Sequence, residues 1–171
     1  MAFGQHLGPV FVQVSDSFSP NRKQELFDYL ASLPTDLQFF VEVRHTAWFA
    51  NDLHRTDLFD ELARLNMGAV ITDTSGRRDC AHMYLTVPKT FIRYVGNSLH
   101  PTDYTRINAW VQRIETWLAK GLKELYFFMH MHDEATSPEL TVYLADKLKE
   151  VCGIDIIRPQ FVPGNNQQSL F

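Results

Sequence analysis

Five apolar runs, four of them with a charged or imidazole residue at or next to their ends, punctuate this chain. They read PVFVQVSD (Pro9 to Asp16), FFVEVRH (Phe39 to His45), MGAVITDT (Met67 to Thr74), FIRYVG (Phe91 to Gly96) and LYFFMHMHDE (Leu125 to Glu134). Their β-branched and aromatic content, and their short length, predict β-strands buried on both faces. Stretches with helical spacing follow most of them. The alternation predicts a parallel α/β sheet, whose functional groups collect at the carboxyl ends of the strands.

Four helices are marked by their starts and stops. Ser19-Pro20 opens the first, with Leu26, Phe27, Leu30 and Leu33 as its buried stripe. Leu58, Phe59, Leu62 and Leu65 form a second stripe, which Gly68 is expected to close. Thr102 is expected to cap a third, with Tyr104, Ile107, Val111, Ile114 and Leu118 inward and Gly121 beyond its end. Ser137-Pro138 opens a fourth, with Leu140, Leu144, Leu148 and Val151 inward and Gly153 as the stop. Ile154 to Ile157 reads as a short last strand. The segment from Asp73 to Phe91 breaks the rhythm: a polar loop from Ser75 to Asp79, then His82 to Val87 alternating like a strand, then a Pro88-Lys89 turn. We expect an elaborated loop or a hairpin-like excursion there. Residues 1–158 then form one domain, and 159–171 a polar tail.

Side-chain alternation assigns the chemistry to faces. In FFVEVRH, Glu42 and Arg44 share the inward face if Val41 and Val43 meet the helices. A buried carboxylate and guanidinium must pair or bind something. They either lock the interior or form a substrate-binding Arg beside an acid/base Glu. By the same parity, Gln13 and Ser15 face inward, as do Asp73 with Ala69 and Ile71, and Arg93 with Phe91 and Val95. Ser75-Gly76-Arg77-Arg78, small and basic, suits either a solvated turn or an anion-wrapping loop. His45 and Trp48 belong to an aromatic loop that would stack on a sugar or base, although Trp48 and Phe49 also suit a cover over the core. His130 and His132, two residues apart, can share one divalent metal if Glu42, Asp73 or Asp133 completes the ligand set.

Composition narrows the function classes. The 171 residues are 45% hydrophobic and 21% charged with a formal charge of -4, which leaves no basic footprint for nucleic acid or an anionic membrane. No apolar run approaches the ~20 residues of a membrane span. Cys80 and Cys152 have no metal or redox spacing and read as reduced thiols of a cytoplasmic protein. No Gly-rich nucleotide loop, GxSxG elbow or His-Glu-x-x-His appears, and no Lys lies in the strand runs. These absences argue against nucleotide hydrolysis, serine hydrolase chemistry and Schiff-base chemistry.

The runs LGPVFVQVSDSFSPN, FFVEVRHTAWF, ITDTS, FIRYVGNSLHP and YFFMHMHDEATSPEL together resemble the YecE-like family, a domain-of-unknown-function family with a TIM-barrel fold. The Glu-x-Arg-His…Trp-Phe segment is the most specific part. The resemblance carries over Glu42, Arg44, His45 and Trp48 as that pattern, Asp73 as the strand-end acid, and Arg93 and Gly96 in the next strand. His130 stands near where many members carry Asn. It also implies a partial (β/α) TIM-barrel-like fold, with about five strands present and the family's front portion absent from this sequence. The expectation is therefore a cytoplasmic barrel enzyme (hydrolase, lyase or isomerase) acting on a small anionic or sugar-like molecule. Glu42, Asp73 and His130 would be catalytic, and Gln13, Arg44, His45, Trp48 and Arg93 substrate-binding. The alternative is a non-catalytic half-barrel that self-associates, as a homodimer, through its open strand edges.

Overall fold

A computed structural model of the chain describes residues 4–74 and 79–160. The Ser75-Gly76-Arg77-Arg78 loop and the tail from 161 lie outside the described residues. Five strands, β1 (Val10–Gln13), β2 (Phe39–Glu42), β3 (Gly68–Thr74), β4 (Lys89–Val95) and β5 (Glu124–His130), pair in parallel in the order β1-β2-β3-β4-β5. Doubly wound sheets reverse strand order at a switch point. This sheet does not, and consecutive parallel pairing is the arrangement of strands along part of a (β/α) barrel.

The helices are α1 (Lys23–Ala31), the short α2 (Ala47–Ala50), α3 (Asp52–Arg64), α4 (Pro101–Ala119) and α5 (Ser137–Cys152). Each of the predicted stripes packs on the sheet, its central residues buried and Phe27, Leu33, Leu65, Tyr104, Leu118 and Val151 partly so. Leu26, Leu30, Leu58, Phe59 and Leu62 join Phe39, Val41 and Ala69 in one cluster; Ile107, Val111, Ile114, Leu140, Leu144 and Leu148 join Ile71, Ile92 and Tyr94 in another. Burial of a Leu or Ile contributes ~1.5–3 kcal/mol, so these two clusters dominate the apolar stabilisation. The opposite face carries Phe40, Val70 and Phe91, with Tyr126 against them. It forms the concave interior.

Several boundaries differ from those the sequence suggests. Asn66, not Gly68, turns the chain after α3, with φ 55°. Gly68 is instead the first residue of β3, lying directly beneath the Phe40 ring, where a Cβ would overlap the ring. Pro101 is the first residue of α4 and His100 its cap, the His100 Nδ1 accepting from the Thr102 N–H at 3.3 Å. Gly153 ends α5 as expected, with φ 69°. Residues 154–157 form no strand.

Between β3 and β4 the described part of the crossover, residues 79–88, contains neither helix nor regular strand apart from a single bridge between Val87 and Lys89. Side chains replace a ladder there. The Thr86 hydroxyl accepts from Ala69 N–H at 3.2 Å and donates to the Met67 carbonyl at 2.6 Å. His82 lies 3.0 Å from the Val70 carbonyl through Nε2 and accepts from Tyr84 N–H at 3.3 Å through Nδ1. Both ring nitrogens are thereby committed to one neutral tautomer.

Candidate functional site

Pairing register fixes which side chains meet on the concave face. Gln13 is level with Glu42, and Thr72 with Arg93. Residues paired across parallel strands project to the same side. The Phe40–Gly68 pairing carries the same parity from β2 to β3, so Gln13, Glu42, Thr72 and Arg93 line the interior together with Phe11, Phe40, Val70, Phe91 and Tyr126.

Glu42 is 1% exposed. Its Oε1 accepts from the Thr72 hydroxyl at 2.8 Å and lies 3.8 Å from Arg44 Nε; its Oε2 accepts from Arg93 Nη1 at 2.5 Å. Burying such a carboxylate is tolerable only because both oxygens are satisfied and a guanidinium neutralises it. Arg93 Nη1 also donates to Gln13 Oε1 at 3.2 Å, bridging β4 to β1 across the interior. Every hydrogen bond that Arg93 makes among the described residues passes through that one nitrogen, so Nε and Nη2 make none. Arg44, just past the end of β2, has its Nε 3.2 Å from Asp16.

Beside Arg93 opens a cavity of about 230 Å³, lined by Pro9, Phe11, Phe91, Arg93, Phe128 and His130. His130 ends β5 with its side chain 48% exposed and Nδ1 3.4 Å from Glu134 Oε1. The Glu134 carboxyl is held below the usual range, chiefly by the hydrogen bond from Ser137 and secondarily by His130.

Three expected site residues go elsewhere. Asp73 does not face the interior: β3 is apolar on both faces, and its register with β4 turns Thr72 inward and Asp73 toward α4. There Asp73 accepts from Trp110 Nε1 at 2.7 Å and pairs with Arg106 at 3.0 Å. Trp48, 0% exposed, is enclosed in the α1/α3 core and donates from Nε1 to the Phe18 carbonyl at 2.9 Å. A fully enclosed indole cannot act as a ligand-stacking surface. His45 accepts from the Ala47 N–H at 3.1 Å and so shapes the turn into α2. The metal arrangement does not assemble either. Asp73 is on the wrong face, His132 is exposed, and no group of three His, Cys, Asp or Glu among the described residues is placed to hold an ion.

A second polar cluster lies on the helix side of the sheet, and strand periodicity does not mark it. Asp103, 0% exposed, accepts from the Asn97 N–H at 2.8 Å and lies 3.4 Å from Arg106 Nη1. Tyr94 donates to the Asp103 carbonyl at 3.0 Å, and burial raises its hydroxyl well above the ordinary tyrosine range. The Arg106 guanidinium sits 4.2 Å over the Tyr94 ring. This network fastens α4 to the ends of β3 and β4. Gly96 adjoins it; a Cβ there would overlap the Met131 sulfur and lie 3.3 Å from an Asp103 carboxylate oxygen. Asp103, Arg106 and Trp110 fall outside the apolar stripe that the sequence marks on this helix. Thr72 lies on the face opposite to Asp73 and so falls outside the inward set that strand alternation gives for β3. Only the spacing of Asp103, Arg106 and Trp110 along one helix face hinted at a shared partner.

Comparison with known proteins adds the family context. A family model described as "Protein of unknown function DUF72" matches residues 1–162. The proteins named UPF0759 protein YecE from Escherichia coli strains K12 and O157:H7 are each 26% identical over 162 residues, covering 84% of this chain and 59% of their own length. Crystal structures of a DUF72 family protein from Enterococcus faecalis V583 superpose with TM-scores of 0.68 and 0.64 at 14% identity. They cover 88% and 93% of this chain, and 63% and 64% of theirs. The chain thus spans about three-fifths of the length of the curated relatives that it matches. Among the described residues no helix is long and apolar enough to cross a membrane.

Proposed function

The chain belongs to the DUF72 family of proteins of unknown function, and from that premise we propose that its concave face is a small-molecule site of the enzymatic type carried by (β/α) barrels. The observation that carries this reading is the use Arg93 makes of its guanidinium. One nitrogen holds Glu42 and Gln13, and the other two are left for a ligand beside a cavity. A guanidinium fixed on one side and open on the other is suited to bidentate recognition of a carboxylate, a phosphate or vicinal hydroxyls. Glu42 and Thr72 set its orientation, so Glu42 acts as the anchor of Arg93. His130, half-exposed and at the cavity wall, is the group that would exchange a proton with the ligand.

The test is a thermal-shift and NMR screen of small carboxylates, phosphates and sugars against the chain and its Arg93→Lys variant. Lysine keeps the charge but loses the planar fork. Ligands that stabilise the parent and lose at least tenfold in affinity in the variant support the reading. Hits indifferent to the substitution refute it.

A second reading is favoured by a specific feature. The outer sides of β1 and β5 have no strand neighbour among the described residues, and Phe11 and Phe128 on those strands are 42% and 44% exposed. Unpaired parallel edges flanked by aromatic side chains favour self-association. On this reading the chain is a non-catalytic half-barrel that forms a homodimer. Light scattering decides it: a concentration-independent monomer excludes the dimer.

A further inference from the structure

The walls of the cavity beside Arg93 narrow the chemistry of its ligand, an assignment that rests on the small-molecule reading of the concave face. Phe91 and Phe128 lie ring on ring, with centroids 4.5 Å apart and planes inclined by 16°. Phe11 meets Phe91 at 5.6 Å, and the Arg93 guanidinium carbon stands 5.6 Å from the Phe11 centroid. Phe11 and Phe128, at 42% and 44% exposure, keep much of their rings uncovered.

Polar groups enter the cavity from two of its six lining residues, Arg93 and His130; the others are Pro9 and three phenylalanines. A polyhydroxylated ligand needs hydrogen-bond partners around its whole circumference, because each buried hydroxyl left unpaired costs ~1–3 kcal/mol. These walls supply partners at one end only. A ligand matched to them is polar at one end and flat and apolar at the other. The volume, about 230 Å³, is below the ~300–1,000 Å³ typical of drug-sized pockets, which restricts the apolar part to a single ring.

Charge agrees with this assignment. Glu42 already neutralises Arg93 through Nη1, so the pocket presents directed N–H groups and little excess positive field. That arrangement favours a planar two-oxygen head that accepts two parallel hydrogen bonds over a diffuse anion. We propose that the pocket binds a single-ring aromatic carboxylate, its carboxylate on Arg93 Nε and Nη2 and its ring against Phe11 and Phe128.

The experiment is a titration of the full chain, followed by two-dimensional NMR or calorimetry, with benzoate, acetate, gluconate and benzyl alcohol as probes. Benzoate should bind at least tenfold more tightly than each of the other three. Phe128→Ala, at a half-exposed position, should weaken benzoate at least fivefold and leave acetate within twofold, with a thermal melt recorded to show that the variant is folded. Solution mass is recorded for both proteins, so that a ligand effect is separated from a change of assembly. Arg93→Lys should weaken benzoate and acetate together.

Acetate or gluconate binding as tightly as benzoate, still dependent on Arg93, overturns the aromatic assignment and leaves the small-molecule site standing. Benzoate binding that Arg93→Lys and Phe128→Ala leave unchanged places the ligand elsewhere and overturns the assignment. If no probe binds the folded chain at millimolar concentration, the aromatic-carboxylate assignment is overturned, and the small-molecule reading falls with it only if the wider screen, phosphates and sugars included, also gives no Arg93-dependent hit.

Discussion

His82 offers the sharpest test of the packing between β3 and the crossover to β4. Its ring stacks on Phe49 with centroids 5.5 Å apart and meets Phe59 at 5.0 Å. The nitrogens are used for the Val70 carbonyl and the Tyr84 N–H. Burial lowers its pKa from 6.5 to about 4, against a smaller opposing effect of the Val70 hydrogen bond. Protonating Nδ1 would also set an N–H against the Tyr84 N–H that now donates to it. The folded pKa is therefore depressed, and between the two values the unfolded chain binds more protons than the native one. Stability is full above the unfolded value and is lost as pH falls from about 6.5 toward 4. At ~1.4 kcal/mol per pKa unit the depression accounts for a loss of about 3 kcal/mol, a large share of the ~5–15 kcal/mol that holds a domain folded. His82→Gln retains an N–H for the Val70 carbonyl and removes the titration. Urea unfolding of both proteins at pH 7, 6, 5 and 4 provides the measurement. Carboxylates common to the two cancel in the difference, so the parent should lose about 3 kcal/mol more than the variant over this range. Parallel curves of stability against pH would refute the reasoning.

Three further substitutions separate structure from function. Asp73→Asn should cost about 3–5 kcal/mol, because it breaks a buried pair and leaves Arg106 poorly compensated; affinity for a ligand at Arg93, on the opposite face, should change less than twofold. Denaturant melts and the benzoate titration read the two effects separately, and a stable Asp73→Asn protein with lost binding would restore Asp73 to the site. Gly68→Ala should destabilise by about 1–3 kcal/mol through overlap with the Phe40 ring; a neutral result in urea would show that the ring moves aside freely. Trp48→Ala should cost about 3–5 kcal/mol by leaving a cavity in the α1/α3 core, and a loss under 1 kcal/mol would contradict its complete enclosure.

Glu42 and Arg93 were legible as inward residues because each alternates with plainly apolar neighbours on its strand. Asp73 was misplaced for a physical reason. GAVITDT is buried along both faces for most of its length, so periodicity carries no parity, and the interior side is settled by pairing with β2 and β4. Trp48 posed a related difficulty: an aromatic residue in a loop after a strand has the same local signature whether it covers a pocket or fills a core. The lack of a helix in the described part of the crossover, residues 79–88, was foreshadowed by its turn residues, but the use of Thr86 and His82 side chains in place of a ladder depends on backbone groups far away in the chain.

The sequence by itself determined the parallel α/β class, the positions of five strands and four main helices, and the fact that polar groups gather toward strand ends. Those follow from local periodicity and capping, which act over a few residues. Tertiary structure alone decided that Thr72, not Asp73, meets Glu42, that Arg93 holds Glu42 and Gln13 through one nitrogen, and that Asp73, Asp103 and Arg106 fasten a helix to the sheet. Each of those outcomes is a matter of register between strands or of packing between layers. Shifting a strand by a single residue exchanges its two faces without changing its composition.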